Sequence, residues 1–320
     1  MHPFSVFITR KIPEPGIERL KSFCSTVEVN PHDRHPTPQE LKEAVADKDA
    51  LLCILADKVD ADLLASAPRL KIIATMAAGY DNIDLAAARK CNIVVTNVPD
   101  VLTDATADLT WALILSVARR IVEGDTIARK GRWAWSPTLL LGVDLAGKTL
   151  GIVGAGRIGQ AIGRRALGFK MKVLYTANSH KPQFEKETGA KMVDLEQLLR
   201  SADFISLNCP LTSQTHHLIG ERQFALMKKS VFLINTSRGQ VIDEKALVSA
   251  LKEGRIAGAG LDVYEFEPDV SPELLTMPNV VLLPHIGSAT TETRTKMAIM
   301  AAENIIAVLS GKPPLNPIKI

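Results

Sequence analysis

Residues 150–159 read Leu-Gly-Ile-Val-Gly-Ala-Gly-Arg-Ile-Gly, a glycine-rich segment between a predicted strand and a predicted helix. It spaces Gly154, Gly156 and Gly159 as G-x-G-x-x-G, after a strand-like apolar run and before an amphipathic helical pattern. In that context the glycines allow a tight turn, a close backbone approach to a pyrophosphate, and helix–strand packing. The helix amino terminus, with Arg157 and Ile158, adds N–H groups and partial positive charge. The stretch predicts a dinucleotide cradle, and the alternative is a glycine-rich turn without a ligand.

Short β-branched runs recur on both sides of this turn, separated by helical patterns. The predicted strands span residues 6–9, 50–55, 72–75 and 93–96, then 150–153, 173–175, 204–207, 231–234 and 280–283. The predicted helices span residues 38–45, 84–90, 101–119, 158–167, 244–251 and 291–309. Strand–helix alternation of this kind is typical of parallel sheets covered on both faces. We therefore predict an α/β fold with two doubly wound, Rossmann-like parallel-sheet domains.

Length and composition narrow the class of protein. A chain of 320 residues is too long for one typical core. The formal charge is only +3, and the Lys and Arg residues are scattered, so we expect no nucleic-acid partner. The amino terminus has no signal-peptide pattern, and no apolar run is long enough to span a bilayer. These features predict a cytoplasmic protein without membrane attachment.

The cysteines and histidines do not indicate a metal site. The four cysteines lie far apart without a Cys-x-x-Cys pair, and His216 and His217 are adjacent, which is poor geometry for joint ligation. We predict buried free thiols in a reducing compartment and no bound metal.

The segment after the second predicted strand of the cradle bears on cofactor choice. NAD-selective folds place an acidic residue there to bind the ribose 2′-hydroxyl. No acid occurs between Arg157 and Phe184, whereas Asn178, Ser179 and the following His-Lys pair offer hydrogen-bond donors. The pattern favours NADP(H) and leaves NAD(H) binding open, since these residues could also be solvated loop positions.

Three polar residues follow later predicted strands. They are Arg238 after 231–234, Glu267 in the 260–268 segment, and His285 after 280–283. Ligands gather at the carboxyl ends of strands in open α/β sheets, so these side chains can converge. Arg suits a carboxylate, His suits proton transfer near neutral pH, and a carboxylate beside it fixes its tautomer. Taken singly, each residue is more often a loop or surface position, and Glu265 rivals Glu267.

With these residues the chain resembles the D-isomer-specific 2-hydroxyacid dehydrogenase family over essentially its whole length. The resemblance is carried by Ala-Gly-Tyr-Asp-Asn-Ile-Asp at 78–84, the glycine motif, Ser-Arg-Gly at 237–239 and Pro-His at 284–285. Within the family it is most similar to the glyoxylate/hydroxypyruvate reductases, on Leu-Tyr-Thr at 174–176, the non-acidic Ala177 and His-Ile-Gly-Ser-Ala-Thr at 285–290.

The resemblance implies roles for particular residues. His285 is the expected acid/base, Glu267 its partner, and Arg238 the substrate clamp; Glu267 is preferred to Glu265 because the family's acid directly precedes a proline. Substrate contacts are expected from Ala78, Gly79 and Ser288, and from Trp135 of a neighbouring subunit in a homodimer, although Trp135 could instead be a packed core aromatic. Besides the cradle, Asn178 and Ser179, the expected cofactor contacts are Thr106, Thr212, Thr236, Asp262 and Gly287.

The resemblance also implies a division of the chain. A substrate domain of residues 1–99, completed by a helix in 287–320, would be interrupted by an NAD(P)-binding domain of residues 100–286. The implied reaction is reduction of a small 2-keto acid, glyoxylate or hydroxypyruvate, to the D-2-hydroxy acid. Two alternatives stay open: another D-2-hydroxyacid dehydrogenase such as a 2-ketogluconate reductase, and a cofactor-sensing, corepressor-like binding protein.

Overall fold

The structure, a computed structural model, describes residues 2–319. The chain forms two compact units: one combines residues through Leu102 with residues from Ser288 onward, and the other is Thr103–Gly287. Each unit contains one sheet whose strands are all parallel. The prediction of an α/β fold built on two parallel sheets is confirmed.

The first unit has a five-stranded sheet in the order β2-β1-β3-β4-β5. Its strands are β1 His2–Ile8, β2 Cys24–Val29, β3 Ala50–Cys53, β4 Ile72–Thr75 and β5 Val94–Thr96. With helices numbered along the chain, it carries α1 Glu14–Lys21, α2 Pro38–Val45, α3 Ala61–Ala65, α4 Leu85–Lys90 and α12 Thr291–Leu309.

Packing in this unit depends on burial from both sides. The central strands β3 and β4 are buried at every position, which explains their unbroken apolar sequence. The helices α1 and α12 approach so closely at Gly16 that a Cβ there would lie 2.7 Å from the Cβ of Ala298. The carboxyl-terminal helix is therefore a part of the first unit's core.

The second unit has a seven-stranded sheet in the order β12-β11-β10-β9-β6-β7-β8. Its strands are β6 Thr149–Val153, β7 Lys172–Thr176, β8 Lys191–Met192, β9 Phe204–Leu207, β10 Phe232–Asn235, β11 Gly258–Leu261 and β12 Val280–Leu282. Its helices are α5 Thr103–Ala118, α6 Ile121–Arg129, α7 Arg157–Ala166, α8 Pro182–Thr188, α9 Leu195–Ser201, α10 Glu221–Leu226 and α11 Glu244–Lys252.

The strand order reverses beside β6, the first strand of this sheet in the chain. Alternate residues of β6 enter different apolar clusters: Leu150 and Ile152 join one, and Val153 joins the other. Such period-2 alternation is what a strand buried on both faces produces. In sheets of this kind, ligands bind beyond the carboxyl ends of the strands next to the reversal.

Candidate active site

The glycine turn after β6 is built to admit a ligand. Gly154 has φ +94°, and a Cβ there would lie 2.7 Å from the backbone N of Cys209, so the turn requires glycine. A Cβ on Gly159 would lie 2.3 Å from the carbonyl oxygen of Gly154, which keeps α7 against the strand. Around Gly156, by contrast, no described atom would lie within 4 Å of a Cβ. The space in front of Gly156 is open, as the close approach of a pyrophosphate requires.

The amino terminus of α7 also fits an anionic ligand. Gly156 is its N-cap residue, provides no capping side chain, and is followed by no acidic residue in the first turn. The neighbouring α9 shows the ordinary alternative, since its N-cap Asp194 accepts from the backbone N of Gln197 at 2.8 Å. An uncapped helix end keeps N–H groups and partial positive charge available to an anion. The residues of this turn thus fit the pyrophosphate of a nicotinamide dinucleotide.

The loop after β7 carries Asn178 and Ser179. The Nζ of Lys181 donates to Ser179 Oγ at 2.9 Å, and the Nδ1 of His180 lies 2.9 Å from Glu185 Oε1. The sequence shows no acid up to Phe184, yet the first turn of α8 brings Glu185 back to this loop. Glu185 lies one position beyond the acid-free interval, and the sequence alone does not show that its carboxylate reaches this loop.

A second group of candidate cofactor residues meets beside α5. The Thr110 hydroxyl links two of them, because it donates to the carbonyl oxygen of Thr106 at 2.8 Å and lies 2.9 Å from Thr236 Oγ1. A Cβ on Gly287 would lie 3.2 Å from Asp262 Oδ2 and 3.5 Å from Thr106 Cγ2. The structure thus gathers four of the predicted residues, and Thr110 is the connecting residue that the sequence did not reveal.

Asp262 fixes the segment that follows β12. Its side chain is buried, and its Oδ1 accepts a hydrogen bond from the backbone N of Ile286 at 2.7 Å. Burial raises the pKa of the Asp262 carboxyl, although the backbone N–H groups of Ile286 and Gly287 act in the opposite direction. Thr212 does not join this group, because its hydrogen bonds stay within the 210–216 turn after β9.

An imidazole–carboxylate pair forms at the ends of β11 and β12. The Nδ1 of His285 donates to Glu267 Oε2 at 2.8 Å, while Glu267 Oε1 accepts from the backbone N of Tyr264 at 3.0 Å. Burial acts to raise the pKa of Glu267, but the hydrogen bond and electrostatic attraction of His285 outweigh it, so the pKa lies below its ordinary value. Because Nδ1 is bonded to the carboxylate, Nε2 is the nitrogen through which the ring can exchange a proton.

The backbone at His285 is unusual. Its φ of +54° is the left-handed region, which non-glycine residues seldom occupy and which tends to accumulate at functional positions. The backbone N of Ile286, the residue after His285, donates a hydrogen bond to Asp262, which holds the backbone on that side of His285. The rival acid, Glu265, bonds elsewhere: its Oε1 lies 2.7 Å from His217 Nε2 and its Oε2 accepts from the backbone of Glu244.

Arg238 lies just beyond β10, the strand next to β11. Asn235 shapes its turn, because Asn235 Nδ2 donates to the Arg238 carbonyl oxygen at 2.9 Å and its Oδ1 accepts from Ser237. The turn touches the Glu267 segment so closely that a Cβ on Gly239 would lie 1.8 Å from the carbonyl carbon of Tyr264. The Arg238 charge also contributes to lowering the pKa of Glu267. The buried Asn235 is a further residue that was missed from the sequence.

The candidate substrate residues Ala78, Gly79 and Ser288 belong to the first unit. There, Asn97 Nδ2 donates to the carbonyl oxygen of Ala78 at 2.7 Å, which orders the segment after β4. Trp135 belongs to the second unit and is 76% exposed, so it does not pack into a core of this chain. The alternative of a core aromatic is therefore wrong.

Residues 2–319 contain neither a candidate metal-binding cluster nor a candidate membrane-spanning helix. No cluster of three or more His, Cys, Asp or Glu side chains in that range could hold a metal ion. Across the same residues, no helix has both the length and the apolarity needed to cross a membrane.

A dinucleotide cradle, with an imidazole–carboxylate pair and an arginine on neighbouring strands, defines the class: an NAD(P)-dependent dehydrogenase. The family model described as D-isomer specific 2-hydroxyacid dehydrogenase, NAD binding domain, matches residues 111–287. The chain belongs to the D-isomer-specific 2-hydroxyacid dehydrogenase family.

Curated proteins and solved structures that are similar to this chain support the same family. The chain is 55% identical over 316 residues to a glyoxylate reductase from Thermococcus litoralis, which covers 97% of this chain and 95% of the relative. A solved structure from Thermus thermophilus is similar with a TM-score of 0.91 and 46% identity, covering 98% of this chain and 100% of the other. An NADPH-dependent glyoxylate/hydroxypyruvate reductase from Sinorhizobium meliloti, solved with NADP and malonate, is similar with a TM-score of 0.86 and 33% identity, covering 99% and 97%.

Proposed function

We propose that the protein reduces glyoxylate to its achiral 2-hydroxy acid, or hydroxypyruvate to its D-2-hydroxy acid, with NADPH as the preferred reductant. The single observation that carries the proposal is the 2.8 Å His285–Glu267 pair beside the Arg238 turn. The names of the relatives from Thermococcus litoralis and Sinorhizobium meliloti support the choice of substrate. Other small 2-keto acids, 2-ketogluconate among them, need the same three groups and are the competing substrates.

Each residue has a chemical task. The Arg238 guanidinium binds the substrate carboxylate through paired hydrogen bonds. A bound nicotinamide supplies the hydride to the keto carbon. His285 Nε2 donates its proton to the oxygen that becomes the hydroxyl, and Glu267 holds the ring in the tautomer that makes this possible. Such a positioned general acid contributes about 10²- to 10⁴-fold to the rate.

The two units would divide the work. We assign cofactor binding to the unit Thr103–Gly287, and substrate contacts through Ala78, Gly79 and Ser288 to the unit completed by α12. In the cofactor unit, the open space at Gly156 and the uncapped end of α7 would hold the pyrophosphate. The Thr106, Thr236 and Asp262 group would face the nicotinamide half.

NADPH preference is supported by the loop after β7. It presents Asn178, Ser179, His180 and Lys181 and no carboxylate of its own. A carboxylate at this position would bond the 2′-hydroxyl of NADH and repel a 2′-phosphate. Since Asn178 and Ser179 can also bond a hydroxyl, NADH is expected to bind more weakly rather than not at all.

A homodimer is supported by an apolar surface in the second unit. The helix α6 buries none of its residues, and Ile121 and Val122 on it are half exposed. Trp133, Trp135 and Leu141 in the following segment are also exposed. Exposed large apolar side chains that are concentrated in one segment are typical of interaction sites, and we propose that a second copy of the chain covers them. Sedimentation of the wild type as a monomer at micromolar concentration would contradict this assignment.

Trp135 would then reach the neighbouring copy's substrate. We expect Trp135→Ala to raise the KM for the keto acid while the chain stays dimeric, because one contact of many is lost. Trp133→Ala is the matched control, since it removes a similar exposed indole two residues away. Equal effects of the two substitutions on KM would remove the special role of Trp135.

We also propose a cytoplasmic location. All four cysteines are free thiols, as a reducing compartment allows. Cys24, Cys53 and Cys209 are buried, but Cys91 is exposed, so the prediction of buried thiols is wrong at Cys91.

The proposed reaction is tested by following the oxidation of NADPH and NADH with glyoxylate, hydroxypyruvate, pyruvate and 2-ketogluconate. We expect saturable turnover that is fastest with glyoxylate or hydroxypyruvate, a lower KM for NADPH than for NADH, and a D-configured product from hydroxypyruvate. Faster turnover of 2-ketogluconate would reassign the substrate. Tight NADPH binding without turnover of any of the four would favour the cofactor-sensing alternative.

A further inference from the structure

The loop after β7 is held by a network that the sequence does not reveal. The buried Tyr175, at the penultimate position of β7, donates its hydroxyl proton to Glu185 Oε1 at 2.5 Å. The same hydroxyl accepts a hydrogen bond from the backbone N of Lys181 at 2.9 Å. The same oxygen of Glu185 lies 2.9 Å from Nδ1 of His180. The Glu185 carboxylate and the Tyr175 hydroxyl thus connect the end of the strand to His180 and Lys181 of the loop.

The charge state of Glu185 suits this arrangement. The hydrogen bonds from Tyr175 and His180 lower the pKa of Glu185, so the carboxylate stays ionised over the neutral range. An ionised oxygen is also the stronger hydrogen-bond acceptor. Lys181, whose backbone is tied to Tyr175, places its Nζ 2.9 Å from Ser179 Oγ. The side chains of three consecutive residues, Ser179 to Lys181, are therefore ordered before any ligand arrives.

We propose that Glu185 is a positioning residue for the adenosine 2′-phosphate of NADPH, acting through His180 and Tyr175. This inference rests on the proposed NADPH preference and explains how an acid so near the loop is compatible with it. Glu185 Oε1 accepts from the tyrosine hydroxyl and from His180 Nδ1, so Nε2 is the ring nitrogen left for a phosphate, to which it donates when the ring carries both protons. Preordering an imidazole, an ammonium group and a hydroxyl lowers the entropy cost of binding a phosphate.

The proposal and a simple charge effect predict opposite changes in the affinity for a 2′-phosphate when Glu185 is removed. If Glu185 acted only as a nearby negative charge, its removal would strengthen the binding of a 2′-phosphate. If it positions the loop, its removal weakens that binding. The matched control is Glu187→Gln on the same helix, where the carboxylate bonds Arg164 at 2.7 Å and Gln183 instead. Both substitutions remove one negative charge from α8, and only one touches the network.

The experiment measures Kd by titration calorimetry for two fragments, 2′,5′-ADP and 5′-AMP, on the wild type, Glu185→Gln and Glu187→Gln. We expect the wild type to bind 2′,5′-ADP more tightly than 5′-AMP. Glu185→Gln should raise the Kd for 2′,5′-ADP about tenfold, as the loss of a charge-assisted interaction does, and leave that for 5′-AMP within twofold. Glu187→Gln should match the wild type. His180→Ala, which removes the ring but keeps the carboxylate, should also weaken 2′,5′-ADP selectively.

The outcomes distinguish the cofactor preference from the role of Glu185. A wild type that binds both fragments equally would contradict the NADPH preference, and the inference about Glu185 with it. A wild type that prefers 2′,5′-ADP while Glu185→Gln keeps or tightens that binding would overturn the positioning role alone. Equal weakening of both fragments in Glu185→Gln would reduce its role to the fold of the loop and would also overturn the proposal.

Discussion

Gly156→Ala separates the cost of a methyl group to the fold from its cost to a ligand. The backbone of Gly156 has φ −74° and ψ −165°, an extended conformation that alanine adopts readily. No described atom would lie within 4 Å of the new Cβ. The free energy of unfolding without cofactor should therefore change by no more than about 0.5 kcal/mol.

Cofactor binding should respond very differently. A backbone N–H donates to a phosphate oxygen at about 2.8 Å, whereas a methyl carbon needs about 3.5 Å from the nearest heavy atom. The added methyl group would stand where the pyrophosphate approaches, and at least one charge-assisted hydrogen bond would be lost. That loss costs about 1.5–3 kcal/mol, so the Kd for NADPH should rise about 10- to 100-fold.

The assay pairs calorimetric titration with NADPH and thermal melting without it. Gly168→Ala is the matched control, because its Cβ also meets nothing within 4 Å and it lies in the exposed turn after α7. We expect the control to leave both measurements unchanged. An NADPH Kd in Gly156→Ala equal to that of the wild type would refute the assignment of the pyrophosphate to this turn.

Three further substitutions test other parts of the structure. Asp203→Asn should lower the free energy of unfolding by about 1–3 kcal/mol at pH 7, because hydrogen bonds from a backbone N–H and a lysine outweigh burial and hold the pKa of Asp203 below its ordinary 3.8. The loss of stability should shrink as the pH falls below that value. A loss that chemical denaturation shows to be independent of pH would contradict this role of Asp203. Gly239→Ala, whose Cβ would lie 1.8 Å from a backbone carbonyl carbon, should lower the melting temperature by roughly 6 °C or more, and an unchanged melting curve would mean that the turn can move aside. Glu267→Gln should lower kcat about 100-fold, because the imidazole of His285 loses the carboxylate that orients it, whereas Glu265→Gln should change kcat far less. Equal losses of kcat in the two variants would favour the rival acid.

Strands with branched apolar side chains were predictable, and those without them were not. The strands β4 and β9 match the predicted residues 72–75 and 204–207 throughout, because all their positions are buried. β2 was missed because it is an edge strand whose sequence, Cys-Ser-Thr-Val-Glu-Val, exposes polar side chains. β11, Gly-Ala-Gly-Leu, has almost no side chains to form a pattern; at Gly260, a Cβ would lie 3.1 Å from the Cβ of Leu113 on α5. The small residues of β11 allow α5 to pack closely against the strand, and the local sequence does not show that contact.

The candidate active site likewise contains residues that the sequence predicts and residues that it does not. The sequence predicts that Arg238, Glu267 and His285 follow strands and can converge, and the structure has them after β10, β11 and β12, although β11 itself was not predicted. The residues that orient these side chains and the cofactor loop were not predicted, because their hydrogen bonds, such as that between Tyr175 and Glu185, join separate elements of the fold. Motif spacing identifies groups that do chemistry, while the groups that position them become visible only when the chain is folded.

The most direct test of the proposed reaction is the turnover of His285→Asn with NADPH and glyoxylate, measured beside its Kd for NADPH. Asparagine keeps a hydrogen-bonding side chain and tolerates the left-handed backbone at this position, so the fold should survive. We predict a kcat lower by about 10²- to 10⁴-fold with an NADPH Kd within about twofold of the wild type. A kcat close to that of the wild type would contradict the proposed reaction, because proton transfer would then not depend on this imidazole.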